Sequence, residues 1–175
     1  MKRIVRGATL GTLLMLTMAA GCDSNPASPS TNAATVLRAT IAAASAVPAV
    51  TGAEAAGTGA VTLTLHATKD ADGLITGGTI DYAITLAGYP DGTVITAANI
   101  RVGGAAANGV IVQDTGLAAR GGATLATGSG TIAVSGVPVT GPIANALVAN
   151  PVAYYFNVQS QLNPATAARG QLALP

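Results

Sequence analysis

Apolar and polar residues alternate along much of the chain, which is the pattern of a β-strand with one buried face. Val61, Leu63 and Leu65 alternate with Thr and His, and residues 79–86 repeat the same arrangement. A period of two places every second side chain on the same side of a sheet. The pattern predicts further strands at residues 36–44, 93–102, 109–114 and 130–134.

The last part of the chain is predicted to form two strands joined by a short polar loop. In the first strand Tyr154, Phe156 and Val158 alternate with Tyr155, Asn157 and Gln159. In the second strand, which begins near Arg169, Leu172 and Leu174 are expected to lie on one side.

One short helix is predicted to interrupt the strands. Thr140 supplies a capping hydroxyl, Pro142 suits the first helical turn, and Asn150-Pro151 ends the segment. Regularly spaced strands with a single short helix predict an all-β domain. We expect an antiparallel Greek-key β-sandwich or barrel.

Composition narrows the class of protein. The chain has 175 residues, enough for one domain, and is 50% hydrophobic but only 9% charged. An apolar chain that is nearly neutral is not expected to be disordered. Its 8 basic and 7 acidic residues offer no basic patch, so nucleic acid is not expected as a partner.

The N-terminus has the pattern of a secretory signal peptide. Lys2, Arg3 and Arg6 precede an apolar run at residues 8–20, and small residues then lead to the sole cysteine, Cys22. This order resembles a bacterial lipobox, which implies cleavage after residue 21 and a diacylglycerol on Cys22. The alternative is ordinary secretion with a free thiol at the new terminus.

These features divide the chain into three parts. We expect a lipoprotein signal peptide at 1–21, a lipidated Cys22 with a flexible Ser/Pro/Asn-rich tether at 22–35, and a β-domain at 36–175. Lipidation would place the protein in the bacterial cell envelope, on the outer face of the inner membrane or on the outer membrane.

Several sequence blocks together resemble one family. They are residues 37–41 with Val47-Pro48, the strand at 57–65, LAGYP at 86–90, AANIRVG at 97–103, NGVIVQD at 108–114 and the block 154–172 ending in ARGQL. In order and spacing they resemble the CHRD domain, found in the animal protein chordin and in many bacterial secreted proteins. The resemblance implies an immunoglobulin- or superoxide-dismutase-like fold.

The chain departs from this family at three positions where members typically carry histidine. These positions are Asn99, Arg101 and Gln159, and Asn157 is expected on the same strand face as Gln159. Amides are weak metal ligands, and the guanidinium has no lone pair and stays charged. We therefore expect no transition metal and no cofactor. The four residues are a candidate polar patch for a carboxylate, sulfate or sugar; the alternative is a structural hydrogen-bonded cluster.

Other polar residues are expected to be structural. His66, the only histidine, is predicted on the exposed face of its strand, and Asp70 and Asp72 are predicted in a turn. Arg169 is expected to pair with a carboxylate. No Gly-x-Ser-x-Gly motif surrounds a serine, so no catalytic residue is assigned.

The sequence thus predicts a lipid-anchored envelope protein whose CHRD-like domain is a non-catalytic binding or structural module. Its partners would be the membrane, through Cys22, and a protein or polysaccharide ligand. Two alternatives remain open: a metal-dependent redox enzyme of dismutase type, which the missing histidines disfavour, and a scaffold that binds no small ligand.

Overall fold

The structure is a computed structural model that describes residues 34–175. The predicted signal peptide, Cys22 and nearly all of the predicted tether lie outside the described residues. Within residues 34–175 there are nine strands, with the following bounds: β1 Thr35–Ala42, β2 Thr58–Lys69, β3 Ile75–Ala87, β4 Thr93–Val102, β5 Ile111–Asp114, β6 Ala123–Leu125, β7 Gly130–Thr140, β8 Tyr154–Ser160 and β9 Ala168–Gln171. One α-helix, α1, spans Gly141–Ala149.

The nine strands form one antiparallel sheet that curls into a nearly closed barrel. The strand order is β5-β4-β8-β9-β1-β2-β3-β7, and the short strand β6 pairs with β4 next to β5. The two edge strands are linked by one side chain, since Gln113 Nε2 in β5 donates to the Pro138 carbonyl in β7 at 3.2 Å. The all-β prediction is confirmed, and of the two predicted forms the structure adopts the barrel-like one.

The core fills the inside of this curved sheet. Leu63, Ile84 and Ile100 are each at most 1% exposed, and the rings of Tyr82 and Phe156 pack with centroids 6.0 Å apart. Burial of each such aliphatic side chain contributes about 1.5–3 kcal/mol. Inward side chains alternate with outward ones over residues 61–65 of β2 and residues 80–86 of β3, as the period of two predicts.

Helix α1 closes part of the barrel over β3. Its buried residues are Gly141, Ala144 and Leu147. The predicted capping by the Thr140 hydroxyl is wrong, because that side chain makes no cap hydrogen bond. Asn145 fixes the helix instead, since its Nδ2 donates to the carbonyls of Ile75 at 2.8 Å and Gly141 at 2.9 Å.

The C-terminal strand ends earlier than the apolar pattern suggests. Leu172 is fully buried, whereas Leu174, predicted on the same side of the strand, lies beyond β9 and is 52% exposed. After β9 the chain pairs with β1 through a single bridge between Arg38 and Ala173, which turns Leu174 toward solvent. Over residues 34–175, no helix has the length and apolar character needed to cross a membrane.

Candidate functional site

Polar side chains line the outer face of three adjacent strands. Asn99 in β4 lies opposite Asn157 in β8, and Asn157 lies opposite Arg169 in β9. We call these three residues the polar row. Their chain neighbours Ile100 and Phe156 point into the core, so the row points away from it. Even so, each member of the row is at most 1% exposed.

Two loops explain why this outer face is buried. The loop after β8 lies over it, because Asn157 Nδ2 donates to the Ala165 carbonyl at 3.2 Å and Gln159 Nε2 donates to the carbonyls of Pro164 and Ala165. The loop after β4 lies over the other end, where the Gly109 N–H donates to the Tyr155 hydroxyl at 3.1 Å.

Glycine is required where the second loop approaches the sheet. A Cβ at Gly109 would collide with the backbone carbonyl of Val102. The small residue therefore lets the loop lie flat against β4 and bring its backbone carbonyls over the polar row.

Arg169 occupies the centre of this covered face. Its Nη1 donates to the Ala107 carbonyl at 2.8 Å and to Asn108 Oδ1 at 3.2 Å, and its Nη2 donates to the Gly104 carbonyl at 2.9 Å. The guanidinium carbon lies 3.5 Å from the centroid of the Tyr155 ring. The expected pairing with a carboxylate is wrong: neutral acceptors and an aromatic face hold this charge.

The structure brings Asn99, Arg101 and Gln159 into one hydrogen-bonded chain. Arg101 Nε donates to Asn99 Oδ1 at 2.9 Å, and Asn99 Nδ2 donates to Gln159 Oε1 at 3.4 Å. Asn157, the fourth residue of the predicted patch, lies across from Asn99, and its buried Oδ1 has no partner among residues 34–175. Arg101 and Gln159 are half-buried, so the patch reaches the surface at its two ends.

A cleft of about 500 Å³ opens beside Arg101; we call it the Arg101 cleft. Its walls are residues 47–51 and residues 162–166, and Asn108 also lines it. Asn108 Nδ2 donates to the Val47 carbonyl at 2.6 Å, which ties one wall to the loop that covers Arg169. The volume lies in the range typical of sites for small ligands.

The donor set of the patch does not fit a transition metal. It consists of amides and a guanidinium, and zinc or copper prefers imidazole, thiolate or carboxylate. Nowhere in the described part of the chain do three or more His, Cys, Asp or Glu residues form a group that could hold a metal ion.

His66 and the aspartates of the predicted turn lie elsewhere. His66 is exposed on β2, as predicted, and its Nε2 lies 3.0 Å from Asp81 Oδ2 on β3. Asp70 Oδ1 accepts the backbone N–H groups of Asp72 at 3.1 Å and Leu74 at 2.8 Å, which confirms the turn.

Sequence reasoning missed a buried carboxylate next to the cleft. Glu54 is 1% exposed, and its Oε2 accepts hydrogen bonds of 2.6 Å from Ser160 Oγ and from Asn163 Nδ2. Burial raises the pKa of the neighbouring Tyr89 to about 12, and the charge of Glu54 adds to this shift. A single Glu in an Ala- and Gly-rich loop carries no motif that could have revealed this role.

Comparison with known proteins identifies one family. The family model described as the CHRD domain matches residues 37–172, which is most of the chain. No curated protein matches the chain, and no solved structure matches it.

Proposed function

Because the chain belongs to the CHRD domain family, we propose that it is a non-catalytic binding module held on a bacterial envelope membrane by a lipid on Cys22. The family consists of non-catalytic domains. Fold membership alone does not define a ligand, so the proposal rests on the site.

The observation that carries the binding role is the Arg101 cleft. The half-buried guanidinium of Arg101 lies on the sheet between two loops that form the walls of the cleft, and Asn99 accepts a hydrogen bond from its Nε. A charged donor that is already oriented binds a ligand at a lower entropic cost than a mobile one. This arrangement supports binding rather than a role as a scaffold without a small ligand.

The N-terminal sequence supports the anchor. A basic segment, an apolar run and small residues precede Cys22, and a polar tether then separates Cys22 from the barrel. Two or more acyl chains give stable membrane attachment at about 0.8 kcal/mol for each buried CH₂. The tether would hold the Arg101 cleft away from the membrane, where a ligand can reach it.

The dismutase-type alternative has little support. Redox catalysis of that kind needs a bound transition metal, and the residues at the three positions of the family histidines are poor ligands for one. A site with Arg101 at its edge would also repel a divalent cation.

Fractionation of cells that express the full chain tests the anchor. We expect the wild-type protein in the membrane pellet and the Cys22→Ser protein in the soluble envelope fraction. The soluble Cys22→Ser protein then serves for binding to envelope extracts, with Arg101→Gln in the same background as the comparison. The proposal fails if Cys22→Ser stays in the pellet, or if the Arg101 substitution leaves every captured component unchanged.

A further inference from the structure

We infer that the Arg101 cleft binds the C-terminal carboxylate of a peptide whose last residue is aliphatic, with Arg101 as the residue that holds the carboxylate. This inference rests on the proposed binding function and names its ligand class. It follows from three features of the cleft: an uncompensated positive charge, donors that are free for a ligand, and aliphatic walls.

The positive charge of the site has no acidic partner. In the range 34–175 the only side-chain ion pair joins His66 and Asp81, so neither Arg101 nor Arg169 has a carboxylate within 4.0 Å. Both guanidiniums bond to the loop after β4, since Arg101 Nη1 donates to the Gly109 carbonyl at 3.5 Å and Arg169 Nη1 donates to the Ala107 carbonyl at 2.8 Å, so the two charges lie close together. Glu54, the buried acid beside the cleft, bonds to Ser160 and Asn163 and does not line the cleft, so the two guanidiniums dominate the field there and attract a carboxylate.

The guanidinium of Arg101 is both fixed and available. Asn99 Oδ1 accepts its Nε–H at 2.9 Å, whereas Nη1 reaches the Gly109 carbonyl only at 3.5 Å. Nη2 has no hydrogen-bond partner within the described chain. A carboxylate can therefore accept from the two Nη groups, in the paired geometry that makes arginine a good carboxylate receptor.

The walls of the cleft favour an aliphatic group beside the carboxylate. Pro48 and Val50 contribute to one wall, and Leu162 and Pro164 contribute to the other. Leu162 is 67% exposed, so a ligand would remove apolar surface from water. None of the described residues that line the cleft is aromatic, so they offer a sugar ring no aromatic face to stack on. A peptide C-terminus supplies the carboxylate and the aliphatic side chain together.

Isothermal titration of the soluble Cys22→Ser chain with matched dipeptides tests the inference. The probes are N-acetyl-Ala-Val as the free acid, the same dipeptide as its C-terminal amide, galacturonate and sulfate. We expect the acid to bind at least about tenfold more tightly than the amide, because only the acid pairs with Arg101. Arg101→Gln should remove this difference, and Arg101→Lys should reduce it.

The control is Arg120→Gln, which removes an exposed arginine outside the cleft. It should leave the preference for the acid unchanged, and the melting temperature of each variant reports on folding. Equal binding of acid and amide, or a preference that survives Arg101→Gln, overturns the inference. Arg101-dependent binding of galacturonate or sulfate without binding of the dipeptide acid also overturns it, although the proposed binding module then stands.

Discussion

The carboxylate of Glu54 accepts a hydrogen bond of 2.6 Å from the hydroxyl of Ser160, a residue 106 positions away in the chain. Asn163 donates to the same oxygen at 2.6 Å. This contact fixes the loop before β2 to the end of β8 and to the loop that forms one wall of the Arg101 cleft. The wall of the candidate site therefore depends on a carboxylate outside the family blocks.

Replacement of Glu54 by Ala should destabilise the domain by about 3 kcal/mol, because it leaves the buried Ser160 hydroxyl and the half-buried Asn163 amide without this acceptor. For a domain of this size we expect the melting temperature to fall by roughly 6–12 °C. Glu54→Gln keeps an acceptor of the same shape and should cost less. Thermal unfolding followed by circular dichroism measures both variants, and equal stability of Glu54→Ala and wild type would contradict the prediction.

Arg169 should be sensitive even to a conservative substitution. Lysine keeps the charge but cannot reach the carbonyls of Gly104 and Ala107 at once, nor stack a planar group on Tyr155. We expect Arg169→Lys to lower the free energy of unfolding by about 2–4 kcal/mol in urea titrations.

The matched control for Arg169 is Arg120→Lys, which changes an exposed arginine and should stay within about 0.5 kcal/mol of wild type. If both substitutions have the same small effect, the bonds from Arg169 to the loop carbonyls do not contribute to stability as the geometry indicates.

The burial of the two faces of β8 shows how much of the site could be predicted from the sequence. Alternation correctly placed Phe156 and Val158 in the core and Asn157 on the opposite face. On that opposite face, however, Tyr155 and Asn157 are at most 1% exposed. The period of a strand defines its two faces but not what covers the second one, since that depends on loops without a periodic pattern.

The lack of a periodic pattern in loops also explains why the predicted carboxylate partner of Arg169 was wrong and why the role of Glu54 was missed. The acceptors of Arg169 are mostly backbone carbonyls. Every residue carries one, so the residue types in the sequence do not indicate which carbonyls will accept. The partners of Glu54 lie more than 100 residues away. By contrast, the proximity of Asn99, Arg101 and Gln159 could be predicted, because strand alternation and the family blocks together place their side chains near one another.

Tyr155 links the sheet to the loop that covers Arg169, and its hydroxyl can be removed without removing the ring. In Tyr155→Phe the Gly109 N–H loses its acceptor, which should cost about 1 kcal/mol and lower the melting temperature by roughly 2–4 °C. Hydrogen exchange at the Gly109 amide should become faster. Tyr154→Phe, at the adjacent half-buried position, is the control; equal exchange at Gly109 in both variants would argue against this link.

The pair of His66 and Asp81 should make stability depend on pH in the acidic range. The pKa of Asp81 lies below its ordinary value of 3.8, first because the Gly136 N–H donates to Oδ1 at 2.7 Å and then because His66 bonds to Oδ2. A lowered pKa in the folded state gives stabilisation that is complete above the unfolded-state pKa and is lost as pH falls through the folded one. The gap in melting temperature between wild type and Asp81→Asn should therefore be full at about pH 5 and shrink below pH 3.8.

His66→Gln separates the two causes of this shift. It removes the contribution of His66 but keeps the Gly136 hydrogen bond, the largest single cause, so part of the acid-dependent gap between Asp81 and its Asn variant should persist in that background. Melting temperatures measured from about pH 6 to about pH 2.5 in a constant-ionic-strength buffer provide the comparison. A gap that grows as the pH falls would mean that the Asp81 carboxyl is stabilised in its protonated form, which is the opposite of what its bond to Gly136 requires.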